Sequence, residues 1–335
     1  MHDPGPSLQR AHPLWLWVAA IVTGCFALYN ANFRELGLAD TIPATLLPAS
    51  MVQHRNLELD TFDALLRERA PGGLATLRQQ VDWTLAIRLQ KGHLRSSYPI
   101  GGAILAAPIY AVPVALGWPR HFDDYRALGK VSASLFVSLS AGLLFLSLLR
   151  FTERGPALFL TATYALGTSA WVIASQAMWQ HGPALLCLTL ALWGALRLAE
   201  RGDVRDALLV SFGSAMAIVC RPQDAFGGLA IFVFAFSHAP RRWAALVLPA
   251  LGIGGLLVWY NLSVFDSLAG GYDALYQSPA HAFRHLTTKT VFTLPAYEGI
   301  AGLLLSPGKG LFFYSPVLAV ALVLLPVAAL PTSTS

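Results

Sequence analysis

Long apolar runs alternate along this chain with short polar breaks. Residues 11–33, 96–119, 131–149, 155–196, 243–265 and 310–335 contain no Asp, Glu, Lys or Arg. A helix needs about 20 apolar residues to cross the hydrocarbon core of a bilayer. Each of these windows therefore predicts a membrane span, and 155–196 is long enough for two. Shorter charge-free stretches at 207–220 and 225–240 flank an RPQD sequence and predict two more. The pattern reads as an all-α, polytopic membrane protein with about nine transmembrane helices. They centre on 14–30, 99–117, 130–149, 157–175, 182–197, 206–220, 224–238, 243–262 and 312–330, in one integral membrane domain over 1–335. Trp15, Trp17, Trp118, Trp171, Trp179, Trp243 and Trp259 fall at or near span ends, where an aromatic belt forms.

Two polar loops, 31–97 and 264–311, are too long to be plain connections, and long ordered loops in compact proteins are commonly functional. In the first, Leu74, Leu77, Val81 and Leu85 recur at helical spacing beside Arg78, Arg88 and Lys91, which predicts interfacial amphipathic helix. Composition agrees with a membrane location: 55% of residues are apolar and 12% charged, where a soluble chain is about a quarter charged. The net charge of +5 comes from basic residues scattered singly or in pairs between apolar runs, which argues against nucleic acid as a partner. Cys25, Cys187 and Cys220 each sit inside an apolar run without metal-ligand spacing, and read as buried small residues.

Arg150 and Arg154, then Arg197, Arg201 and Arg205, then Arg241 and Arg242 occupy alternate loops. The positive-inside rule places those loops in the cytoplasm, and the SQAMWQH turn, Arg221 and the loop 264–311 outside. Counting back from 150 through two spans puts the loop 31–97 in the cytoplasm as well. With eight basic and seven acidic residues, that loop scarcely votes for itself. A break in one segment between 99 and 149 moves it outside, and Pro99, Gly101, Gly102, Pro108 and Pro113 mark 99–117 as the segment to be broken.

Asp40, in LADTIPATLLP, follows the first span by some ten residues. A carboxylate there suits a general base that takes the proton of an incoming hydroxyl, and equally suits the cap of a following helix. Asp60, with Asp63 in LELDTFD, is a secondary acid candidate or a solvated loop residue. Gln176, Trp179, Gln180 and His181 lie in the middle of a charge-free window, where polar side chains are costly unless they face a cavity or a partner. A phosphate leaving group needs cationic help as its charge develops. Arg95, Arg221 and Lys309 are candidates for that role, and each also suits a snorkelling residue at a span end. His281 and His285 are four apart but lack a third ligand, so no cofactor is predicted and a divalent metal has no support.

The large first loop with its early Asp40, a YPxG-type entry at Tyr98, a WxH turn ending at His181, an RP at Arg221 and a late SPGKGLFFYSP carrying Lys309 and Tyr314 follow in order. Together they resemble the GT-C class of polytopic glycosyltransferases, which includes the protein O-mannosyltransferases and the lipid A aminoarabinose transferases. The resemblance covers about residues 14–320. It implies a sugar taken from a polyprenyl-phosphate donor and passed to a hydroxyl of a lipid or glycan acceptor on the non-cytoplasmic face of a bacterial inner membrane. It further implies Asp40 as catalytic base, with Arg95, His181, Arg221, Lys309 and Tyr314 binding substrate or donor phosphate. His181 stands where the family often has a second acid, and the relatives continue past the last span, which implies a chain shortened at its C-terminal end. A multi-pass transporter or flippase for a lipid-linked substrate is the alternative, although such proteins show paired broken spans in two halves and only one such segment is evident.

Overall fold

The computed structural model describes residues 13–69, 86–276, 295–308 and 310–328. Leu74, Leu77, Val81, Leu85, His281, His285 and Lys309 lie outside them. The described chain is helical except for one two-stranded hairpin. Helix α1 (Leu14–Asn30) is followed by a 3₁₀ turn at Ala39–Thr41 and by α2 (Ile42–His54) and α3 (Asp63–Arg69). The hairpin pairs β1 (Ile87–Gln90) with β2 (His93–Ser96), antiparallel. The run continues with α4 (Gly101–Ala115), α5 (Phe122–Leu148), α6 (Arg154–Leu166), a π-helical turn at Ala170–Ala174, and α7 (His181–Arg201). After these come α8 (Val204–Cys220), α9 (Ala225–His238), α10 (Trp243–Phe265), α11 (Gly271–Tyr276), α12 (Ala296–Leu305), α13 (Leu311–Tyr314) and α14 (Pro316–Ala328).

Three helices are long and apolar enough to cross a membrane: Phe122–Leu148, His181–Arg201 and Pro240–Phe265. At 1.5 Å per residue, the 17 residues of α1 or α8 rise only about 25 Å, short of the ~30 Å hydrocarbon core. The expected spans thus overlap helices, but among the described residues three reach full span length. Helices α9 and α10 turn Phe226, Leu229, Val233, Leu251, Leu256 and Trp259 outward. A contiguous apolar face of that kind is out of place in water and is expected of a membrane protein.

Helix ends follow local chemistry. Asp124 accepts hydrogen bonds from the backbone N–H of His121 (2.9 Å) and Arg120 (3.0 Å), closing a capping box that starts α5. Gly202 (φ 67°) ends α7 in the left-handed region, where a residue without Cβ carries no steric cost. Between α7 and α8, Cys187 and Ala191 meet Gly213, and Ala195, four residues on, packs with Ala207 and Val210. A Cβ on Gly213 would lie 2.7 Å from the Cys187 carbonyl oxygen, so this close crossing depends on a bare backbone there. Cys25, Cys187 and Cys220 are buried and free, as expected from their apolar surroundings.

The bundle has two distinct ends. At one, the Arg154 guanidinium sits over the Trp17 ring, Arg150 pairs with Glu200, and Arg242 Nε donates to Gly202 O at 2.7 Å, which gathers the basic loops. At the other, Ser134 Oγ donates to Asn30 Oδ1 and to Ser175 O, and Asn32 Nδ2 donates to Gln176 Oε1 at 2.8 Å. The C-terminal end of α1, the N-terminal portion of α5 and the turn before α7 therefore meet at the end opposite the basic loops.

The segment 99–117, counted among the spans and marked as the one to be broken, holds α4. Helix α4 begins beside α8's C-terminal end, where a Cβ on Gly101 would stand 2.5 Å from Cys220 N. It finishes a few residues before α5, whose Arg126 pairs with Glu35 just beyond α1. Both its ends lie at the same end of the bundle. It packs on α2, with the Tyr110 hydroxyl donating to Thr45 O at 2.9 Å and Ala103, Ala106 and Tyr110 in one core with Leu46, Leu47 and Tyr125. Residues 31–69 and 86–121 form a layer over that end. Helix α1 thus arrives at the end of the bundle from which α5 departs.

The hairpin is a second departure. Arg88, expected beside an amphipathic helix, lies in β1, and Lys91 and Gly92 form the turn with φ of 50° and 86°. Two consecutive positive φ values are what a two-residue hairpin turn demands.

Candidate functional site

Asp40 sits in the 3₁₀ turn before α2 and is solvent-exposed, while the neighbouring Thr41 is buried. The N-cap position of α2 is Thr41, and it makes no side-chain capping bond. The capping role considered for Asp40 is not the one it plays. Its neighbour is Tyr98, which enters from the segment between β2 and α4. The Tyr98 phenol is pushed well above its ordinary value, first by burial, then by the charge of Asp40 and a hydrogen bond to it, and then by Tyr272. Tyr98 therefore holds its proton and can donate toward the carboxylate.

From Tyr98 the connections run across the end of the bundle. Tyr272 in α11 meets the Tyr98 ring edge-on, with centroids 6.2 Å apart, and donates its hydroxyl to Gln180 Oε1 at 3.0 Å. Gln180 precedes His181, the first residue of α7. His181 is within electrostatic reach of Arg221 and Asp224, which pair with each other at 3.0 Å. Asp40, His181 and Arg221, far apart in sequence, thus share one end of the bundle, opposite the basic loops. The backbone keeps these pieces close: a Cβ on Gly271 would lie 2.3 Å from Ser97 O. A small cavity of about 40 Å³ remains beneath, lined by Ser97, Tyr98, Tyr260, Asn261 and Tyr272 among others. The buried hydroxyls of Ser97 and Tyr260 find no partner among the described residues there.

The other expected site residues fall elsewhere. Arg95 lies in β2, where its Nη2 donates to Glu58 Oε1 at 2.7 Å and its Nη1 reaches Leu57 O, so its charge is already answered. Asp60 anchors the hairpin: Oδ1 accepts from Leu94 N at 2.9 Å and Oδ2 meets His93 Nδ1 at 2.8 Å. Tyr314 donates to Pro307 O at 3.0 Å within its own segment. Lys309 is outside the described residues. Glu58, Asp60 and His93 place one donor atom each within 4.8 Å of one another, a set that could hold a metal ion. Each already has a protein partner, which accounts for the cluster without an ion.

Sequence reading missed a second polar centre at the same end. Glu35 Oε2 accepts from Arg126 Nε at 2.8 Å and from Arg126 Nη2, and Lys130 Nζ donates to Gln176 Oε1. Lys130 is 5% exposed and Gln176 1%. The expense of a polar Gln176 at that depth is met by Lys130, Asn32 and Ser175, its three side-chain partners. The available signal was Lys130 itself, the last charge of α5 before the charge-free run 131–149.

These observations define a helical protein with membrane-length helices and a polar site at one end. No protein-family model, no curated protein and no solved structure matches the chain.

Proposed function

We propose that this protein is a membrane glycosyltransferase of the inner membrane of a bacterium, moving a sugar from a polyprenyl-phosphate donor to a hydroxyl of a lipid or glycan acceptor. The observation that carries this reading is the exposed Asp40 carboxylate, linked through Tyr98, Tyr272 and Gln180 to His181 and Arg221. In the proposed step the acceptor oxygen forms a bond to the anomeric carbon as its proton passes to Asp40. The bond from that carbon to the phosphate oxygen breaks, and polyprenyl phosphate leaves with the electron pair. Tyr98, held protonated, orients Asp40. Arg221, His181 and the N-terminal dipole of α7 stabilise charge that grows on the departing phosphate.

The proposed topology has α1, α5, α6 with its π turn, α7, α8, α9 and α10 crossing the bilayer, and α4 lying in the outer layer. The basic loops at 150–154, 197–205 and 241–242 then face the cytoplasm and Asp40 faces away from it. The purified protein should transfer label from one member of a panel of radiolabelled polyprenyl-phosphate sugars to acceptors in a membrane extract. Absence of transfer from every donor, by protein shown to be folded, would remove the reading.

A further inference from the structure

Between the C-terminal end of α1 and the first turns of α5 lies a cavity of about 670 Å³, within the range of sites that bury a small ligand. Its polar lining is Asn30, Arg34, Glu35, Asp123, Arg126 and Lys130, and Phe26, Phe33, Leu36 and Val131 supply apolar wall. Three cations face two acids there. Glu35 is engaged by Arg126, and Asp123 stands 3.6 Å from Arg126 Nη1, so Arg126 absorbs much of the acidic charge and Arg34 and Lys130 carry the surplus. Lys130 is the telling residue. An ammonium has three donors, and Lys130 gives one to Gln176 Oε1. A lysine 5% exposed on a helix of membrane length is expensive unless it serves a partner or a ligand.

We infer that this α1–α5 pocket is a binding site for the phosphate headgroup of a membrane amphiphile. Lys130 and Arg34 hold the phosphate, Arg126 is fixed by Glu35 at its edge, and Phe26 and Val131 carry the start of the apolar chain. The phosphate chemistry follows from the cations Arg34, Arg126 and Lys130 in the lining, and the amphiphile from the apolar Phe26, Phe33, Leu36 and Val131 beside them. The pocket is distinct from the Asp40 site. The Glu35–Arg126 pair separates it from a smaller cavity of about 190 Å³ that borders Ala39 and Thr41. The inference concerns binding alone, so it stands or falls independently of sugar transfer.

The test is a titration of the detergent-purified full chain, read by thermal shift, with dihexanoyl phosphatidic acid, dihexanoyl phosphatidylcholine and inorganic phosphate. The expected result is saturable stabilisation by phosphatidic acid and none by phosphatidylcholine. Stabilisation by inorganic phosphate as well would keep the phosphate site and point to a free anion as its source. Three variants locate the site: Lys130→Met removes the buried cation, Arg34→Gln an exposed one, and Ala127→Trp fills the mouth without touching a charge. Each should weaken binding by about tenfold or more. Should Lys130→Met fail to fold, the other two decide the matter, since both positions are exposed. Absence of saturable binding by any phosphate probe in the wild type, or wild-type affinity in both Arg34→Gln and Ala127→Trp, would overturn the assignment.

Discussion

Tyr272 donates its hydroxyl to Gln180 Oε1 at 3.0 Å, tying the short helix after α10 to the turn that begins α7. The same ring packs edge-on against Tyr98, so one side chain joins the Asp40 turn to the neighbourhood of His181 and Arg221. A part-buried neutral hydrogen bond contributes about 1 kcal/mol, and an edge-to-face aromatic pair a similar amount.

Tyr272→Phe should therefore cost about 1 kcal/mol and leave the ring contact in place. Tyr272→Ala should cost more and lower sugar transfer by tenfold or more, because the Tyr98 ring loses its support. Melting and transfer measured on both variants check this. Equal transfer in the two variants would mean that the ring does not position Tyr98.

Tyr98 should titrate abnormally. Its pKa is raised, so the folded state holds the proton more tightly than the unfolded chain, whose tyrosines lose theirs near 10. Its contribution to stability is fully present below about pH 10 and is lost as pH rises past that value. Asp40→Asn should move the Tyr98 ionisation downward, though not fully to the ordinary value, because burial is the larger cause. Ultraviolet titration of phenolate absorbance, with Tyr98→Phe as the subtraction, measures it. An unmoved curve would separate Asp40 from Tyr98.

Helix packing gives a prediction with an internal control. Gly213→Ala places a methyl within 2.8 Å of both Cys187 O and Ala191 N, and should cost about 1–3 kcal/mol by overpacking. Gly252→Ala in α10 meets nothing within 4 Å and should be neutral or stabilising by up to about 1 kcal/mol, since alanine favours helix. Melting of the two variants in the same detergent is the check.

The helices were legible in the sequence because charge-free windows report apolar length directly. Each expected segment overlaps helix among the described residues, although 157–175 is broken between Leu166 and Ala170. What the windows could not report is direction. The 99–117 segment is as apolar as a span, its Pro and Gly residues marked it as broken, and the contacts of Gly101 with Cys220 and of Tyr110 with Thr45 show where it packs. The hairpin was missed because Arg88 and Lys91 suggested a basic helical face, while the signal that mattered was Lys91–Gly92 as a turn. Asp40 was legible as an acid soon after the first span, His181 as a polar residue inside a charge-free window, and Arg221 as a cation at a span end. Tyr98 and Tyr272, which join them, were not, since aromatic residues at a membrane interface have an ordinary explanation.

The Glu35–Arg126 pair should be worth more than a surface ion pair. The Glu35 side chain is 8% exposed, so Glu35→Gln leaves Arg126 and the buried Lys130 without their nearest counter-charge. A fully buried pair broken on one side costs about 3–5 kcal/mol. Arg126 keeps a third of its side chain in solvent, which reduces the expectation to about 2 kcal/mol. The double variant Glu35→Gln with Arg126→Gln should recover part of the loss, and a double-mutant cycle on melting quantifies it.

Asp40→Asn is the substitution that tests the central claim most directly, by the rate of sugar transfer from the polyprenyl-phosphate donor that the wild type uses. Asn keeps the size and hydrogen-bonding reach of Asp but cannot take a proton. Since Asp40 is exposed and the N-cap position of α2 is Thr41, folding should be unaffected. A general base contributes about a hundred- to ten-thousand-fold, so the rate should fall by that factor with melting within a degree or two of the wild type. Full transfer by Asp40→Asn would contradict the account, and the base would have to be sought elsewhere at that end of the bundle.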